Sequence, residues 1–211
     1  MEWIQMPLGP LQTNAYILYD KNNSCLIVDP GEEPGKVKLF IEKKKLKPAA
    51  IVLTHAHFDH IGAVDALRNE YKIPVYLHEN ERKWLSDPEK NGSAHFAGIP
   101  LIQAADPDRT FSEEGAVAIE HWTFELLFTP GHSPGSVSLY FKEEELVISG
   151  DALFQGSIGR TDLRGGNHHL LLKSIHEKLL SLPEDTYVLS GHGPVTTIRS
   201  EMDSNPFLNG F

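Results

Sequence analysis

Four side chains of the types that bind metal ions lie within six consecutive residues of this chain. They are His55, His57, Asp59 and His60. The segment directly follows the apolar run at residues 49–53, which predicts a buried strand. Imidazole nitrogens and carboxylate oxygens are ligands that suit zinc, iron and manganese, and ordinary packing does not explain such a concentration of them. The segment therefore predicts a metal site.

Three further candidate ligands occur in a similar local setting, after a strand-like apolar run and a glycine. Residues 124–128 lead through Gly131 to His132, residues 146–149 lead through Gly150 to Asp151, and residues 186–190 lead through Gly191 to His192. Strands rich in Val, Ile, Leu and Phe pack into sheets, and glycine lets the chain turn sharply near a bound ion. We expect all four ligand groups to gather at one edge of the sheets.

Seven candidate ligands are more than one ion needs, but they suit two ions about 3.5 to 4 Å apart that share a bridging oxygen. The division that we predict places His55, His57 and His132 on one ion and Asp59, His60 and His192 on the other, with Asp151 shared. Alternate residues of an extended segment point the same way, which favours pairing His55 with His57.

These motifs resemble the metallo-beta-lactamase superfamily, and most closely its glyoxalase II-like hydrolases. The resemblance includes the His-x-His-x-Asp-His segment, the Gly-His and Gly-Asp steps, and the early run at residues 28–31, and it covers nearly the whole chain. It implies an α+β fold, a four-layer αββα sandwich, in a single domain over residues 1–211. His60 stands where many true zinc beta-lactamases have Arg, and Asp151 stands where they often have Cys.

The resemblance implies a hydrolase that cleaves an acyl thioester of the S-lactoyl-thiol type through a metal-bridging hydroxide. Two divalent ions are expected, zinc first, with iron and manganese as alternatives. Asp59 would be catalytic, because it would orient the hydroxide as well as bind a metal ion. Arg160 would bind substrate, since a basic residue near this position in glyoxalase II holds a carboxylate of glutathione.

Two departures from the family weaken the assignment of glutathione as the thiol carrier. Gly193 and Pro194 stand where typical members have a tyrosine shortly after the last histidine, and only 19 residues follow His192. The family's carboxy-terminal helices supply basic residues that bind glutathione. We therefore expect a shortened thioesterase that uses another thiol carrier.

Other functions remain as alternatives. Persulfide dioxygenases resemble this chain in the run at residues 159–162, and they hold a single iron with the equivalents of His55, His57, His132 and Asp151. Lactone hydrolysis is a weaker alternative. A non-catalytic metal-binding module is disfavoured because every ligand position is filled.

Composition limits the partners and the location that we expect. The chain has 211 residues, 40% hydrophobic residues and a net charge of −10, which argues against nucleic-acid partners and favours a small-molecule substrate. No apolar run approaches the roughly 20 residues of a membrane helix, so no membrane association is expected. The single cysteine, Cys25, forms no internal disulfide, which favours a cytoplasmic location. The sequence does not predict the oligomeric state.

Three further interpretations concern Asp29, the local role of Asp59 and the histidines outside the ligand set. Asp29, before Pro30, is either a turn former or a residue that orients a ligand. Asp59 taken alone would be a helix N-cap. The remaining histidines are expected at the surface; they are His78, His95, His121, His168, His169 and His176.

The pattern of apolar residues predicts strands at 13–19, 24–29, 74–77, 116–121, 124–128, 136–141 and 145–149. It predicts helices at 35–45, 60–70 and 168–180, with a loop-rich connection over 86–108.

Overall fold

The computed structural model describes residues 1–208, which fall into two compact units. The first unit is Met1–Ser112, and the second begins at Glu113. Each unit contains one six-stranded mixed sheet. Between residues 1 and 208, no helix has the length and apolar character needed to cross a membrane. The single domain over residues 1–211 stays a prediction.

The first unit is a sheet with helices inserted between its strands. Its elements are β1 Glu2–Leu8, β2 Thr13–Tyr19, β3 Ser24–Val28, α1 Pro34–Lys44, β4 Lys47–Val52, α2 Phe58–Ile61, α3 Val64–Tyr71, β5 Val75–His78, α4 Pro88–Asn91 and β6 Arg109–Phe111. The sheet order is β1-β2-β3-β4-β5-β6. The first three strands pair antiparallel and the last four pair parallel. The parallel strands β3 and β4 are connected through α1, as parallel pairing requires.

Strands β3 and β4 are buried over most of their length, because their inner residues are apolar on both faces. The core of this unit also takes Val37 and Ile41 from α1 and Leu67 from α3. The chain that leaves β4 begins with Leu53 and Thr54, which are also buried, and leads into the histidine segment. The first ligand group thus starts from a rigid strand rather than from a mobile loop.

The second unit is built around a second sheet. Its elements are β7 Gly115–Ile119, β8 Trp122–Phe128, β9 Val137–Phe141, β10 Leu146–Gly150, β11 Leu153–Phe154, β12 Ser157–Ile158, α5 His168–Ser174, β13 Tyr187–Ser190, β14 Thr196–Thr197 and α6 Ile198–Ser204. The sheet order is β14-β13-β10-β9-β8-β7, and β11 pairs with β12 in a separate hairpin. Strands β10 and β13 are parallel, and the other pairs in this sheet are antiparallel.

Helix α5 continues as a π-helical turn over Ile175–Leu179. Its buried residues Leu171, Ile175 and Leu179 join the core of this unit, as their helical spacing predicts. The side chain of Asn167 accepts a hydrogen bond from the backbone N–H of Leu170 and caps the start of the helix.

Two expectations about local structure need correction. The helix expected at 60–70 is divided into α2 and α3, because the N–H of Ala63 donates to the carbonyl of Pro30 at 3.0 Å instead of continuing one helix. His78 is buried rather than on the surface, and burial lowers its pKa. Its Nδ1 accepts a hydrogen bond from the N–H of Asn80 at 3.1 Å, so it stabilises a turn.

Candidate metal ligands

The first ligand group lies where the chain leaves β4 and enters α2. The rings of His55 and His57 have centroids 4.8 Å apart, and those of His55 and His60 are 4.1 Å apart. All three imidazoles are buried. The structure therefore brings these three histidines together within this unit.

Hydrogen bonds fix the tautomers of two of these histidines. The Thr54 hydroxyl donates to Asp29 Oδ2 at 2.6 Å, so it accepts from Nδ1 of His55, 3.0 Å away. The same Asp29 oxygen accepts from Nδ1 of His60 at 3.0 Å. Each ring therefore carries its proton on Nδ1 and presents the lone pair of Nε2, the form that a metal ion needs.

Asp59 lies in the first turn of α2, and His57 occupies the N-cap position, so interpreting Asp59 as the cap is wrong. The hydroxyl of Thr13 donates to Asp59 Oδ2 at 2.7 Å and orients the carboxylate. The same oxygen lies 3.6 Å from Nε2 of His60. A Cβ on Gly31 would lie 1.9 Å from the carbonyl oxygen of Asp59, so only glycine allows this close approach.

The second ligand group begins at the ends of two neighbouring parallel strands. Asp151 follows β10 and His192 comes two residues after β13, and the N–H of Gly191 donates to the carbonyl of Gly150 at 2.8 Å. Because the carboxyl ends of parallel strands meet at one edge, the two side chains are brought together. Asp151 Oδ2 lies 3.6 Å from Nε2 of His192.

His132 joins this group from the turn after β8. Asp151 Oδ2 lies 3.5 Å from its Nε2. Its Nδ1 lies 2.7 Å from the backbone carbonyl of Arg160, an acceptor, so Nδ1 carries the proton and Nε2 presents the lone pair. Gly159 packs closely against both ligands. A Cβ at this position would lie 1.8 Å from the Asp151 carbonyl oxygen and 3.2 Å from Cβ of His132, so there is no room for a side chain.

The distances between these ligand atoms fit a metal ion better than they fit hydrogen bonds. The three imidazole-to-carboxylate separations are 3.5, 3.6 and 3.6 Å. N–H to oxygen hydrogen bonds normally span about 2.7 to 3.2 Å. Two ligand atoms that are each about 2.1 Å from a tetrahedral zinc ion lie about 3.4 Å apart. Each of these three pairs is therefore spaced as two ligands of one divalent cation would be.

Arg160 makes a bidentate pair with a neighbour. Its Nε and Nη2 donate to Asp162 at 2.7 and 2.6 Å. The guanidinium lowers the pKa of the Asp162 carboxyl to about 2, so both groups are charged at neutral pH. The role of Arg160 in substrate binding stays a prediction.

Sequence reasoning missed three contributors to the ligand groups. Glu81 is fully buried and its Oε2 accepts from the N–H of Ala56, between the first two histidines, at 2.6 Å. Thr13 orients Asp59, and Gly159 fits between Asp151 and His132. Glu81 and Thr13 are distant in sequence from the residues that they support, so neither carried a local signal. Gly159 entered the sequence analysis only within the run at residues 159–162 that resembles persulfide dioxygenases.

These features define the class of the protein. The family model described as "Metallo-beta-lactamase superfamily" matches residues 8–192, and the chain belongs to that superfamily. It is 58% identical over 211 residues to the probable metallo-hydrolase YqgX of Bacillus subtilis, covering 100% of this chain and 99% of that protein. It is 37% identical over 205 residues to the hydroxyacylglutathione hydrolase GloC of Haemophilus influenzae, covering 97% of this chain and 96% of that protein.

Solved structures agree with this assignment. The crystal structure of the BLEG-1 B3 metallo-beta-lactamase superposes with a TM-score of 0.97 at 56% identity, covering 99% of this chain and all of that one. TTHA1623 in a di-iron-bound form superposes with a TM-score of 0.84 at 42% identity, covering 97% of this chain and all of that one. The predicted α+β fold of the metallo-beta-lactamase type is confirmed, and so is the broad prediction of a metal-dependent hydrolase. The roles of the individual ligands stay predictions.

Proposed function

We propose that this protein is an acyl-thioester hydrolase with two divalent metal ions. His55, His57 and His132 would hold one ion, Asp59, His60 and His192 the other, and Asp151 both. The observation that carries the proposal is that one oxygen of Asp151 lies 3.5 and 3.6 Å from the Nε2 atoms of two different histidines. This geometry suits a carboxylate that would be shared by two ions. The similarity to GloC supports a thioester substrate, and the di-iron form of TTHA1623 supports two ions.

When bound, divalent ions would supply a water of lowered pKa and would polarise the substrate carbonyl. The chain's own residues prepare for this reaction. Asp29 and Thr54 keep Nδ1 of His60 and His55 protonated. Thr13 holds one oxygen of Asp59, which lets the carboxylate accept a hydrogen bond from the attacking water in a fixed orientation.

In the reaction, the water oxygen forms a bond to the acyl carbon and the carbon–sulfur bond breaks. The sulfur leaves as a thiolate and takes up a proton, so the products are a carboxylic acid and a thiol. No other reactant is needed. The net charge of −10 supports a small molecule rather than a nucleic acid as substrate, and the lone buried Cys25 supports a reducing, cytoplasmic location.

Hydrolysis of a β-lactam is a second candidate, favoured by the 56% identity to the BLEG-1 metallo-beta-lactamase. The two reactions share the attack of water on an acyl carbon and differ in the leaving group, which is sulfur or nitrogen. The persulfide dioxygenase alternative needs one iron and molecular oxygen instead.

The decisive experiment combines metal analysis with an activity screen. We expect about two metal equivalents per chain, hydrolysis of S-lactoyl or short acyl thioesters, and weaker turnover of a chromogenic cephalosporin. One iron per chain with oxygen consumption on a persulfide would overturn the proposal in favour of the dioxygenase. Faster turnover of the cephalosporin than of every thioester would overturn it in favour of the lactamase.

Two variants separate ligand loss from unfolding. His132→Ala removes a ligand proposed for one ion and should lower the metal content to about one equivalent, with activity reduced by about two orders of magnitude or more. His176→Ala removes an exposed histidine on α5's π-helical turn and should change neither quantity. Equal metal content in both variants would remove His132 from the ligand set.

A further inference from the structure

The short hairpin formed by β11 and β12 connects Asp151 to the turn that orients His132. Its first strand begins two residues after Asp151. Directly after its second strand, the N–H of Gly159 donates to the carbonyl of Ala152 at 3.2 Å. The next residue, Arg160, supplies the carbonyl oxygen that lies 2.7 Å from Nδ1 of His132. A shift of the hairpin would therefore disturb the surroundings of both ligands.

The same hairpin contacts the third member of the second ligand group. Phe154, in β11, and His192 have ring centroids 6.1 Å apart and ring planes inclined at 82°, which is an edge-to-face contact. The hairpin has only two residues in each strand and forms a sheet of its own. Isolated two-stranded hairpins are marginally stable in water, so contacts from outside must hold this one in place.

Helix α6 and its C-cap residue supply such contacts at the tip of the hairpin. Oε2 of Glu201 accepts a hydrogen bond from the N–H of Gly156 at 2.8 Å. Nδ2 of Asn205, the C-cap residue, donates to the carbonyl of Ser157 at 3.0 Å and to the same Glu201 oxygen at 2.8 Å. Both side chains are buried. They therefore hold two adjacent backbone groups of the tip, one donor and one acceptor.

The carboxylate of Glu201 is buried among neutral donors. Its other oxygen accepts from the hydroxyl of Thr196 at 2.6 Å, so a backbone N–H, a side-chain amide and a hydroxyl all donate to the group. Burial of a carboxylate costs free energy unless such hydrogen bonds compensate for the lost water. Hydrogen bonds to a carboxylate are stronger than those between neutral groups, so the tip of the hairpin is closely restricted.

From these contacts we infer that Glu201 is a positioning residue for metal binding. It holds the β11–β12 hairpin, and through the hairpin it keeps Asp151, His132 and His192 at the spacing that suits a divalent cation. Helix α6 is thereby part of the metal site, although none of the proposed ligands lies on it. The inference rests on the metal site of the proposed function and not on the identity of the substrate.

The test measures the zinc affinity of the metal-stripped protein by competition with a chelator. Glu201→Ala should weaken zinc binding about tenfold to hundredfold, because the tip of the hairpin is no longer held. Glu201→Gln keeps an oxygen towards Gly156 and Asn205, and the Thr196 hydroxyl can turn to accept from the new amide. That variant should recover the zinc affinity to within about threefold of the wild type.

Thr196→Val is the matched control, because it removes the third hydrogen bond of the same carboxylate and leaves the two at the hairpin side. It should lower the midpoint of thermal unfolding by about 2 to 10 °C and leave zinc affinity unchanged. If Glu201→Ala lowers the midpoint but binds zinc as tightly as the wild type, the inference is overturned. An equal loss of zinc affinity in both variants would also overturn it, since general loss of stability would then be the cause.

Asn205→Ala keeps the inference testable if Glu201→Ala does not fold. It removes the hydrogen bond to the Ser157 carbonyl and leaves the one from Gly156 to Glu201. Zinc affinity should fall about threefold to tenfold, because one of the two contacts at the tip is lost. Unchanged zinc affinity in this variant would count against the positioning role.

Proton NMR of the metal-stripped protein gives a readout that depends on neither metal nor turnover. The Nδ1 proton of His132 should exchange slowly with water, because it donates to the Arg160 carbonyl, and its signal is assigned by its absence from His132→Ala. Glu201→Ala should speed this exchange about tenfold or more, and Thr196→Val should not. Equal exchange in all three proteins would overturn the inference. Absence of thioester hydrolysis would overturn the proposed function alone, and a wild-type protein that binds no zinc would overturn both.

Discussion

Asp29 orients two candidate ligands through one carboxylate. It accepts from His60 directly and from the Thr54 hydroxyl that in turn accepts from His55. The sequence left two interpretations of Asp29 open, a turn former and a residue that orients a ligand, and these hydrogen bonds support the second. Its backbone has a φ of 47°, in the left-handed region that Asp tolerates better than most residues. Its local conformation is what aims the side chain at the ligands.

Glu81 acts on the histidine segment from outside it, through the N–H of Ala56. We predict that Glu81→Ala lowers metal affinity about tenfold to hundredfold, because the segment that carries His55 and His57 loses its support. It should also cost about 1 to 3 kcal/mol of stability, because a buried N–H loses its acceptor. Chelator competition and thermal unfolding measure the two effects.

Two further variants make the role of Glu81 specific. Glu81→Gln keeps an oxygen acceptor and should recover part of the metal affinity. Glu79→Ala changes an exposed glutamate in the same 3₁₀ turn and should leave metal affinity unchanged. A Glu81→Ala protein that unfolds more easily but binds metal as tightly as the wild type would show that Glu81 has a structural role only.

At the scale of elements, the second ligand group depends on the parallel pair β10–β13 and on the turn that carries Gly159. The parallel pair brings Asp151 and His192 to one edge of the sheet, and the turn supplies the carbonyl that orients His132. A strand pair can be inferred from apolar runs, but the fit of a turn against a ligand cannot. This is why the sequence could predict that Asp151 and His192 lie close together. It could not predict that Gly159 fits closely against Asp151 and His132.

We predict that Gly159→Ala disrupts the second ligand group. The added Cβ would lie 1.8 Å from the Asp151 carbonyl oxygen, so the backbone must shift, at a cost of about 1 to 3 kcal/mol or more. Gly35→Ala is the matched control, because Gly35 is exposed in α1 with no atom within 4 Å of an added Cβ. That control should raise stability by about 0.5 to 1 kcal/mol. Denaturant unfolding and metal content measure both, and unchanged metal content in Gly159→Ala would contradict the prediction.

The pattern of apolar residues predicted some secondary-structure elements correctly and missed others. The helix at 168–180 was predicted from Leu171, Ile175 and Leu179, because core packing and helical spacing agree there. The prediction of one continuous helix at 60–70 is wrong, because the N–H of Ala63 donates to the carbonyl of Pro30 and divides the helix in two. Pro30 is 33 residues away, so no local pattern contains this contact. Strand β1, which pairs with β2, was not predicted, because its residues are mostly exposed or half-buried.

At the scale of the whole molecule, the candidate ligands are distributed from His55 to His192, and the family model covers all of them. Membership of the superfamily could therefore be predicted from the resemblance of these motifs to that family. The substrate could not, because the residues that would contact it carry no motif in the sequence.

Cys25 provides a probe of opening of the folded chain. It is buried in β3, and burial raises the pKa of its thiol to about 12 from 9.0. At pH 8 the native thiol is therefore less ionised by about a thousandfold than in the unfolded chain, and reagent has no direct access to it. We predict that a disulfide reagent labels the native protein only through opening.

The labelling rate of Cys25 should rise with denaturant in parallel with the unfolding equilibrium. Raising the pH from 9 towards 12 should destabilise the fold, because only the unfolded chain then ionises the thiol. Stopped-flow labelling and unfolding at several pH values measure both effects. Rapid labelling of the native protein at pH 8 would contradict the burial of Cys25.

Residues 9–12 form the turn that connects the paired strands β1 and β2. Strands β1 and β2 pair in register from Glu2–Tyr19 to Leu8–Thr13, and this pairing lets Thr13 reach Asp59. Gly9 and Gln12 have positive φ, and a Cβ on Gly9 would lie 2.3 Å from Glu32 Oε2, so Pro10 and Leu11 are the positions of the turn that can change. Natural variation at Pro10 and Leu11 would therefore leave the hydrogen bond that orients Asp59 intact.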